Sequence, residues 1–247
     1  MNELGTRAVE IVVAIDGQEV QYSNLLFHSR IYGSTATIYV PTSTKASKDS
    51  AVTLSYRHED RLQLFATLVV KLVNPGEVGV KHLLCKEPYY RSMGTVVKAT
   101  SWRKATVAEI ATDILTEAGV AKYDLSAIPS VRLERFSYPD QIMFSLLQNL
   151  RWAVRQYQKL DLVIIPGIDG VLHFGPLASI RPDFGSSISV VTGVDILWMR
   201  RGMYGLHVLP LLYGQLLTID GVQCQAEDVE IVVRSDRHET CAKVRWL

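Results

Sequence analysis

The sequence predicts an α+β protein in which two antiparallel β-barrel-like modules flank a small insert of two helices and a hairpin. Three observations support this prediction. β-Branched runs broken by short turns fill both ends of the chain, the apolar spacing becomes helical in the middle, and a segment near the beginning recurs near the end. We therefore expect an N-terminal β domain over 1–104, an α/β insert over 105–176 and a C-terminal β domain over 177–247.

The N-terminal third has the pattern of about six antiparallel strands. Residues 9–15 form a β-branched run, Asp16-Gly17 predicts a tight turn, and the return strand begins at 19–22. The further strands are expected at 25–31, 35–40, 52–56, 62–72 and 78–84.

The middle of the chain changes to a helical period. Thr106 and Glu109 fit a capping box, and the apolar residues after them keep a helical spacing up to Gly119. A second helix is expected from 139 or 140 to 156, and its apolar face consists of Ile142, Met143, Leu146, Leu147, Leu150 and Val154. Strands at 160–165 and 171–174 then predict a hairpin.

Strand signals return at 188–199, 215–219, 229–234 and 241–247. Two Asp-Gly segments, 14–30 and 218–234, match at Asp16-Gly17, Gln21, Leu25, Phe27 and Arg30 against Asp220-Gly221, Gln225, Val229, Ile231 and Arg234. A turn two residues longer then places Ala36, Ile38 and Val40 opposite Ala242, Val244 and Trp246. The match predicts two similar β modules. The alternative is coincidence, because Asp-Gly is a common hairpin dipeptide.

The composition argues against nucleic-acid binding through phosphate neutralisation. Lys and Arg number 26 against 25 Asp and Glu, which gives a net charge of +1, whereas such binding needs a basic excess. No stretch has the features of a secretory signal or a membrane span. Cys85, Cys224 and Cys241 lack metal-ligand spacing, which predicts reduced, buried thiols.

No residues have the spacing of a catalytic, metal-binding or cofactor-binding motif, so we expect no enzyme activity, cofactor or metal. His58-Glu59-Asp60 could form a metal site or an acid–base pair, but its predicted turn favours a solvated loop. Arg151, Arg155 and Lys159 could face an acidic partner or be a solvated helix face. Trp102-Arg103-Lys104 and Trp198-Met199-Arg200-Arg201 could bind single-stranded nucleic acid, form a protein interface, or lie on a barrel rim.

The order of the elements resembles the baseplate hub proteins of bacteriophage tails, the late control protein D family, and the related bases of type VI secretion spikes. Tyr89-Tyr90-Arg91 with 105–120 is similar to the helix after the first barrel of such hubs. Residues 136–140 and 169–174 are similar to their helix and Asp-Gly-x-Leu-x-Phe hairpin, and 209–219 with 240–247 to their closing barrel. The chain departs from the pattern at 155–159, where the family has a glycine.

The resemblance implies a homotrimer whose two barrels per chain form a ring of six similar modules, joining a six-fold tail tube to a three-fold spike. The expected partners are a tail tube protein, a spike supplied as a separate polypeptide, and other baseplate proteins. The expected location is the virion tail baseplate, after assembly in the bacterial host cytoplasm. We expect no direct recognition of nucleic-acid sequence and no stable membrane insertion. Alternatives are a small β-barrel nucleic-acid-binding module and a tail-tip cell-wall hydrolase.

Overall fold

The computed structural model describes residues 9–30, 33–58, 61–180 and 188–247. These residues divide into two compact units, one within 1–87 together with 184–247 and the other within 88–183. Strands dominate and helices are few, so the predicted α+β class is confirmed. The division into domains at 1–104, 105–176 and 177–247 stays a prediction.

The elements follow one another in three groups. Before the first helix lie β1 (Glu10–Ile15), β2 (Gln18–Val20), β3 (Asn24–Arg30), β4 (Gly33–Pro41), β5 (Ala51–His58), β6 (Arg61–Pro75) and β7 (Val80–Lys86). The second unit holds α1 (Tyr90–Met93), β8 (Val96–Val97), β9 (Thr100–Thr106), α2 (Val107–Glu117), β10 (Tyr123–Asp124), β11 (Arg132–Tyr138), β12 (Gln141–Ile142), α3 (Met143–Gln158), β13 (Val163–Pro166), β14 (Leu172–Gly175) and α4 (Leu177–Ile180). The chain ends with β15 (Ile188–Val190), β16 (Ile196–Arg200), β17 (Met203–Leu206), β18 (Leu216–Ile219), β19 (Val222–Val233) and β20 (His238–Trp246).

The first unit is built on one hydrogen-bonded sheet of thirteen strands. Its main path runs β16-β17-β20-β19-β3-β4-β7-β6-β5-β1-β2, and β18 pairs with both β19 and β15. Strands β3 and β4 alternate between buried and half-buried residues, which is the pattern of a sheet with one face in the core. Among the described residues the pairings do not close either end of this sheet into a barrel.

The sheet contains the same strand order twice. The path β3-β4-β7-β6-β5-β1 at the N-terminal end is matched by β16-β17-β20-β19-β18-β15 at the C-terminal end. The match keeps the order of the strands along the chain, with β1 corresponding to β15 and β3 to β7 corresponding to β16 to β20. We call β3–β7 the first strand set and β16–β20 the second. One difference is that β1 runs antiparallel to β5, whereas β15 runs parallel to β18.

The backbone registers of the two sets agree pair by pair. Both long strands carry a bulge at the same step, between Val70 and Leu72 in β6 and between Ala226 and Asp228 in β19. The corresponding pairs, first set and then second, are Val52–Leu68 with Leu217–Cys224, Leu54–Ala66 with Ile219–Val222, Val70–Cys85 with Ala226–Val244, and Ile38–Leu83 with Tyr204–Ala242.

The turns that lead into β5 and β18 also correspond. The Asp49 amide donates to the Val70 carbonyl at 2.7 Å, and the Gly214 amide donates to the Ala226 carbonyl at 2.8 Å. Both turn residues have left-handed backbone, with φ of 70° at Asp49 and 85° at Gly214. The repetition therefore includes local backbone geometry as well as strand order.

The two Asp-Gly segments give a different alignment, which relates β3 to its antiparallel partner β19 and so reverses the strand direction. It equates Phe27 with Ile231, but these residues lie opposite each other in the antiparallel pair of β3 and β19. The match equates Leu25 with Val229, and the hairpin partners of these two residues are Ile38 and Ala242. The sequence match instead equated Ile38 with Val244. The repetition lies instead between β6 and β19, with β3 corresponding to β16.

The second unit confirms the predicted helix, helix, hairpin order. The Thr106 hydroxyl accepts from the Glu109 amide at 3.1 Å, and the Glu109 carboxylate accepts from the Thr106 amide at 2.7 Å, which completes the capping box of α2. Helix α3 begins later than predicted, at Met143, because Ile142 is extended and pairs with β8. The predicted apolar face of α3 is buried except for Ile142, which is 41% exposed.

Candidate assembly surface

Two of the cation-containing segments that the sequence singled out make side-chain contacts within the second unit. The Arg151 guanidinium pairs with the Asp161 carboxylate at 3.1 Å, and the Trp102 indole donates to the Asp113 carboxylate at 2.8 Å. Trp102 also packs near Phe136, with ring centroids 5.7 Å apart. Arg151 and Trp102 therefore each have a partner within the second unit.

The other chemical candidates do not converge. Glu59 and Asp60 lie outside the described residues, and the backbone places His58 opposite Arg61 beside that turn. In the parts of the chain that the structure describes, no three His, Cys, Asp or Glu side chains are arranged to hold a metal ion. Within the same parts, no helix combines the length and apolarity needed to cross a bilayer.

All three cysteines are free and buried. Cys224 lies opposite Trp246 and Cys241 opposite Glu230, so the two thiols on neighbouring strands do not face each other. Burial raises the pKa of the Cys85 thiol to about 12, which keeps it protonated and unreactive near neutral pH.

The hairpin of β16 and β17, one of the segments that the sequence singled out, exposes several large apolar side chains. Its turn, at Arg201 and Gly202, brings two arginines beside exposed apolar side chains. The exposed fractions are 47% for Leu197, 37% for Trp198, 67% for Met199 and 44% for Met203. Strand β16 ends the hydrogen-bonded path, so its outer edge has no strand beside it in the described sheet.

Trp198 is fixed against the hairpin by its neighbour Gly205. A Cβ atom at Gly205 would lie 2.2 Å from the indole nitrogen, so glycine is the residue that lets the ring cover β17. The indole N–H also points to the Glu239 carboxylate at 3.5 Å, and Arg237 pairs with the same carboxylate. The Trp198 ring therefore has a fixed position on the surface of the hairpin.

A second unpaired edge lies on β6, which sequence reasoning did not single out. Residues 61–69 of β6 pair with β5, whereas Leu72 to Pro75 pair only with β7 among the described residues. Leu72 is 48% exposed, and Val78 in the following turn is fully exposed. The only sequence signal near this edge was the Asn74-Pro75-Gly76 turn. Such a turn predicts where a strand ends but does not indicate whether another strand pairs beside it.

The contact between the two strand sets is made by β3 and β19. Leu25, Phe27 and Ile231 on this pair are fully buried. On the other face, Arg30 contacts Asp228 at 3.0 Å and His28 lies 3.6 Å from Glu230. The contact thus combines an apolar face with a half-exposed polar face that carries the Arg30–Asp228 ion pair.

Glu87, directly after β7, is a buried carboxyl group in the first unit. Its Oε1 accepts from the Ser34 amide at 3.0 Å, while its Oε2 has no hydrogen-bond partner in the described structure. Burial raises its pKa to about 8, although the bonds from Ser34 act in the opposite direction. The carboxyl group is therefore largely neutral at pH 7.

The whole fold is shared with proteins of phage tails and type VI secretion. The 43 kDa tail protein of prophage MuSo2 from Shewanella oneidensis matches 97% of this chain and 98% of its own, with a TM-score of 0.70 and 9% identity. A tail protein from Neisseria meningitidis matches 96% of both chains, with a TM-score of 0.67 and 10% identity. An Escherichia coli type VI secretion component that is structurally similar to the T4 tail proteins gp27 and gp5 matches 95% of this chain and 76% of its own, with a TM-score of 0.64 and 11% identity.

No family model matches this sequence, and no curated protein does. Because the identities are so low, the structural similarity establishes a phage tail hub-like fold and leaves the late control protein D assignment as a resemblance.

Proposed function

We propose that this chain is a structural hub protein of a phage tail or a related contractile injection device. Three copies form a ring of six barrel-like modules, which joins a six-fold tail tube to a three-fold spike. Its partners are the tube protein, the spike and other baseplate proteins, and it resides in the tail baseplate. The role is structural, with no catalytic step.

The repeated strand order carries this proposal. A ring of six near-equivalent modules requires that each module be related to the next by about 60°, and such a rotation cannot turn a strand antiparallel to its counterpart. Strands β6 and β19 are four antiparallel pairings apart along the sheet, so they run in the same sense. Strands β3 and β16 are also four antiparallel pairings apart.

The fold similarity supports the same proposal. The match spans nearly all of this chain and of two phage tail proteins, so it includes both strand sets and the second unit. The type VI secretion component adds a relationship to a device that is not a virion. A contractile or injection role is therefore the function that fits this whole group of folds.

Light scattering of the purified chain, alone and with tube and spike proteins, tests the proposal. We expect three copies per particle in at least the mixture with both partners, and ring-shaped particles with six density lobes by electron microscopy. A chain that remains monomeric with both partners present would contradict the proposal. A sample denatured and refolded without partners serves as the control for non-specific aggregation.

A further inference from the structure

Helix α3 carries an exposed tryptophan. Of the four tryptophans, Trp102 and Trp198 direct their indole N–H groups at carboxylates, and Trp246 packs against Tyr204. Trp152 has neither kind of contact among the described residues, and 61% of it is exposed. Single exposed aromatic rings are common on protein surfaces, so the neighbouring side chains decide whether this one belongs to a binding site.

The neighbours of Trp152 on α3 are cations with little opposing charge. The helix contains no Asp or Glu, and Arg151 and Arg155 lie in its second half, followed by Lys159. Arg151 pairs with the Asp161 carboxylate. Arg155 and Lys159 are exposed and have no acidic partner in the described parts of the chain. The dipole of a helix favours cations at this end, so these two charges alone do not indicate a ligand.

Lys159 occupies a position that favours glycine. It ends α3 in the left-handed region, with φ of 55° and ψ of 22°, and its amide donates to the Arg155 carbonyl at 3.2 Å. Glycine is the usual residue in this conformation, because it has no Cβ to clash with the backbone. Arg155 already supplies a cation to the last turn for the helix dipole. A lysine here therefore costs stability, and no described contact within the chain offsets that cost.

Trp152, Arg155 and Lys159 lie on one side of α3. Trp152 and Arg155 are three residues apart and Lys159 follows four residues later, which are the spacings of neighbours on a helix surface. The buried side of the helix, which includes Leu150 and Val154, is opposite. We propose that Trp152, Arg155 and Lys159 form a docking site for an acidic segment of a partner protein.

The three side chains match an acidic segment that also carries apolar residues. The indole ring offers an apolar area that an apolar side chain of the partner can cover, and the two cations can pair with carboxylates on either side of that residue. Tryptophan and arginine are also enriched among the residues that dominate binding at protein interfaces. Covering them excludes water and strengthens the ion pairs.

A nucleic acid fits the same surface less well. Its affinity grows with the number of phosphates that the protein neutralises. Arg155 and Lys159 can neutralise few phosphates, and the whole chain carries a net charge of only +1. The inference goes beyond the proposed hub role, because it concerns α3 and does not depend on the formation of a ring.

Fluorescence anisotropy of a labelled peptide tests the docking site. The probe is a fluorescein-labelled peptide of repeated Glu-Leu-Glu units, titrated with the full chain, and the same peptide with Gln in place of Glu is its control. We expect only the acidic peptide to bind, with an affinity that falls as salt is added. Trp152→Ala should weaken this binding about ten-fold. The double variant Arg155→Gln with Lys159→Gln should weaken it by a similar factor.

Two matched controls separate a local site from the overall properties of the chain. Tyr157→Ala removes another exposed aromatic ring from α3, five residues beyond Trp152 and therefore on a different side of the helix. Lys45→Gln with Lys48→Gln removes two exposed cations between β4 and β5, and it changes the net charge by the same amount as the α3 double variant. Both controls should bind the acidic peptide as tightly as the unaltered chain does.

Lys159→Gly distinguishes a binding role from a structural one. Glycine relieves the left-handed backbone, so the midpoint of thermal unfolding should stay the same or rise. The affinity for the acidic peptide should nevertheless fall several-fold, because the cation is lost. An unchanged affinity would mean that Lys159 is only a solvated residue at the end of the helix.

Three other results would overturn the inference. Absence of binding by the acidic peptide, or equal weakening by the control variants, would show that α3 has no docking site. Tighter binding of a single-stranded oligonucleotide, lost in the same α3 variants, would show that the partner is not a protein. Light scattering of the α3 variants with tube and spike proteins keeps the hub role separate, because loss of peptide binding with three copies per particle retained concerns the docking site alone.

Discussion

The first and second strand sets have the same backbone pairing and different surroundings. The same bulge, the same register and the same left-handed turn occur in both, yet the buried positions carry different residues, such as Leu83 and Ala242. What is repeated is therefore the hydrogen-bond ladder, whereas the residues on it differ. The clearest difference is at the edges, since β3 is covered by β19 whereas β16 is not.

The largest expected effect tests whether the two sets fold as one. Leu54 and Ile219 occupy corresponding core positions at 0% and 4% exposure. Leu54→Ala and Ile219→Ala should each lower the free energy of unfolding by about 2–5 kcal/mol through loss of contacts and a residual cavity. The two costs should add in the double variant, because β5 and β18 are not neighbours.

Urea denaturation followed by circular dichroism measures these changes. Both single variants should shift the same transition, because both strand sets belong to one compact unit. Separate transitions, each moved by only one of the substitutions, would show that the two sets are independent domains despite the continuous sheet.

A second prediction uses the edge difference. Leu25→Ala should cost about 2–5 kcal/mol, because Leu25 is fully buried. Met199→Ala, at the corresponding exposed position, should change the stability of the dilute chain by less than about 0.5 kcal/mol. Thermal unfolding of both variants at low concentration makes the comparison, and an equal loss for the two would mean that β16 is already covered in the single chain.

Local signals allowed much of the fold to be predicted. The capping box of α2 depends on residues three apart, and each Asp-Gly turn depends on two residues that accept positive φ. Asp16 and Asp220 have φ of 49° and 48°, and the glycines after them 80° and 84°. The two Asp-Gly segments therefore resemble each other because they build the same turn, independent of their places in the two sets.

The true repetition could not be predicted because it is stored in non-local pairings. Leu54 and Ile219 correspond because they hold the same register position opposite β6 and β19. At most corresponding positions of these strands the two sets carry different residue types. The pairing of β9 with β11 was missed for the same reason, because the partners are separated by helix α2. Of the candidate surface, the sequence indicated the Trp198 hairpin by its mixture of aromatic and cationic residues, but not the β6 edge.

A third prediction concerns the buried carboxyl group, which the first set has after β7. The Glu87 pKa is raised from 4.5 to about 8 by burial, so the folded chain retains a proton that the unfolded chain loses. The stability that this group contributes is present below pH 4.5 and is lost as the pH rises toward 8, at roughly 1.4 kcal/mol per pH unit. Glu87→Gln should remove this part of the dependence.

The measurement for Glu87 is the difference in the free energy of unfolding between wild type and Glu87→Gln from pH 4 to pH 9. The wild type should lose stability relative to the variant through this window and run parallel to it above about pH 8. Parallel curves throughout would mean that Glu87 is solvated in the folded protein. The Ser34 amide can still donate to the amide oxygen of the variant, so its hydrogen bond is retained.

The smallest expected effect distinguishes the two Asp-Gly turns. The Asp220 carboxylate accepts from the side chain and the amide of Thr192, and these bonds lower its pKa below 3.8. The stability it contributes is therefore present above pH 3.8 and is lost as the pH falls through the lowered folded value. Asp220→Asn should flatten the acid limb of the thermal unfolding profile between pH 2 and pH 4, while asparagine keeps the left-handed turn. Asp16→Asn is the matched control for turn geometry, since Asp16 accepts only the Ala51 amide among the described contacts. If both variants flatten the acid limb equally, the effect belongs to the Asp-Gly turn itself and the Thr192 contacts do not distinguish the second set from the first.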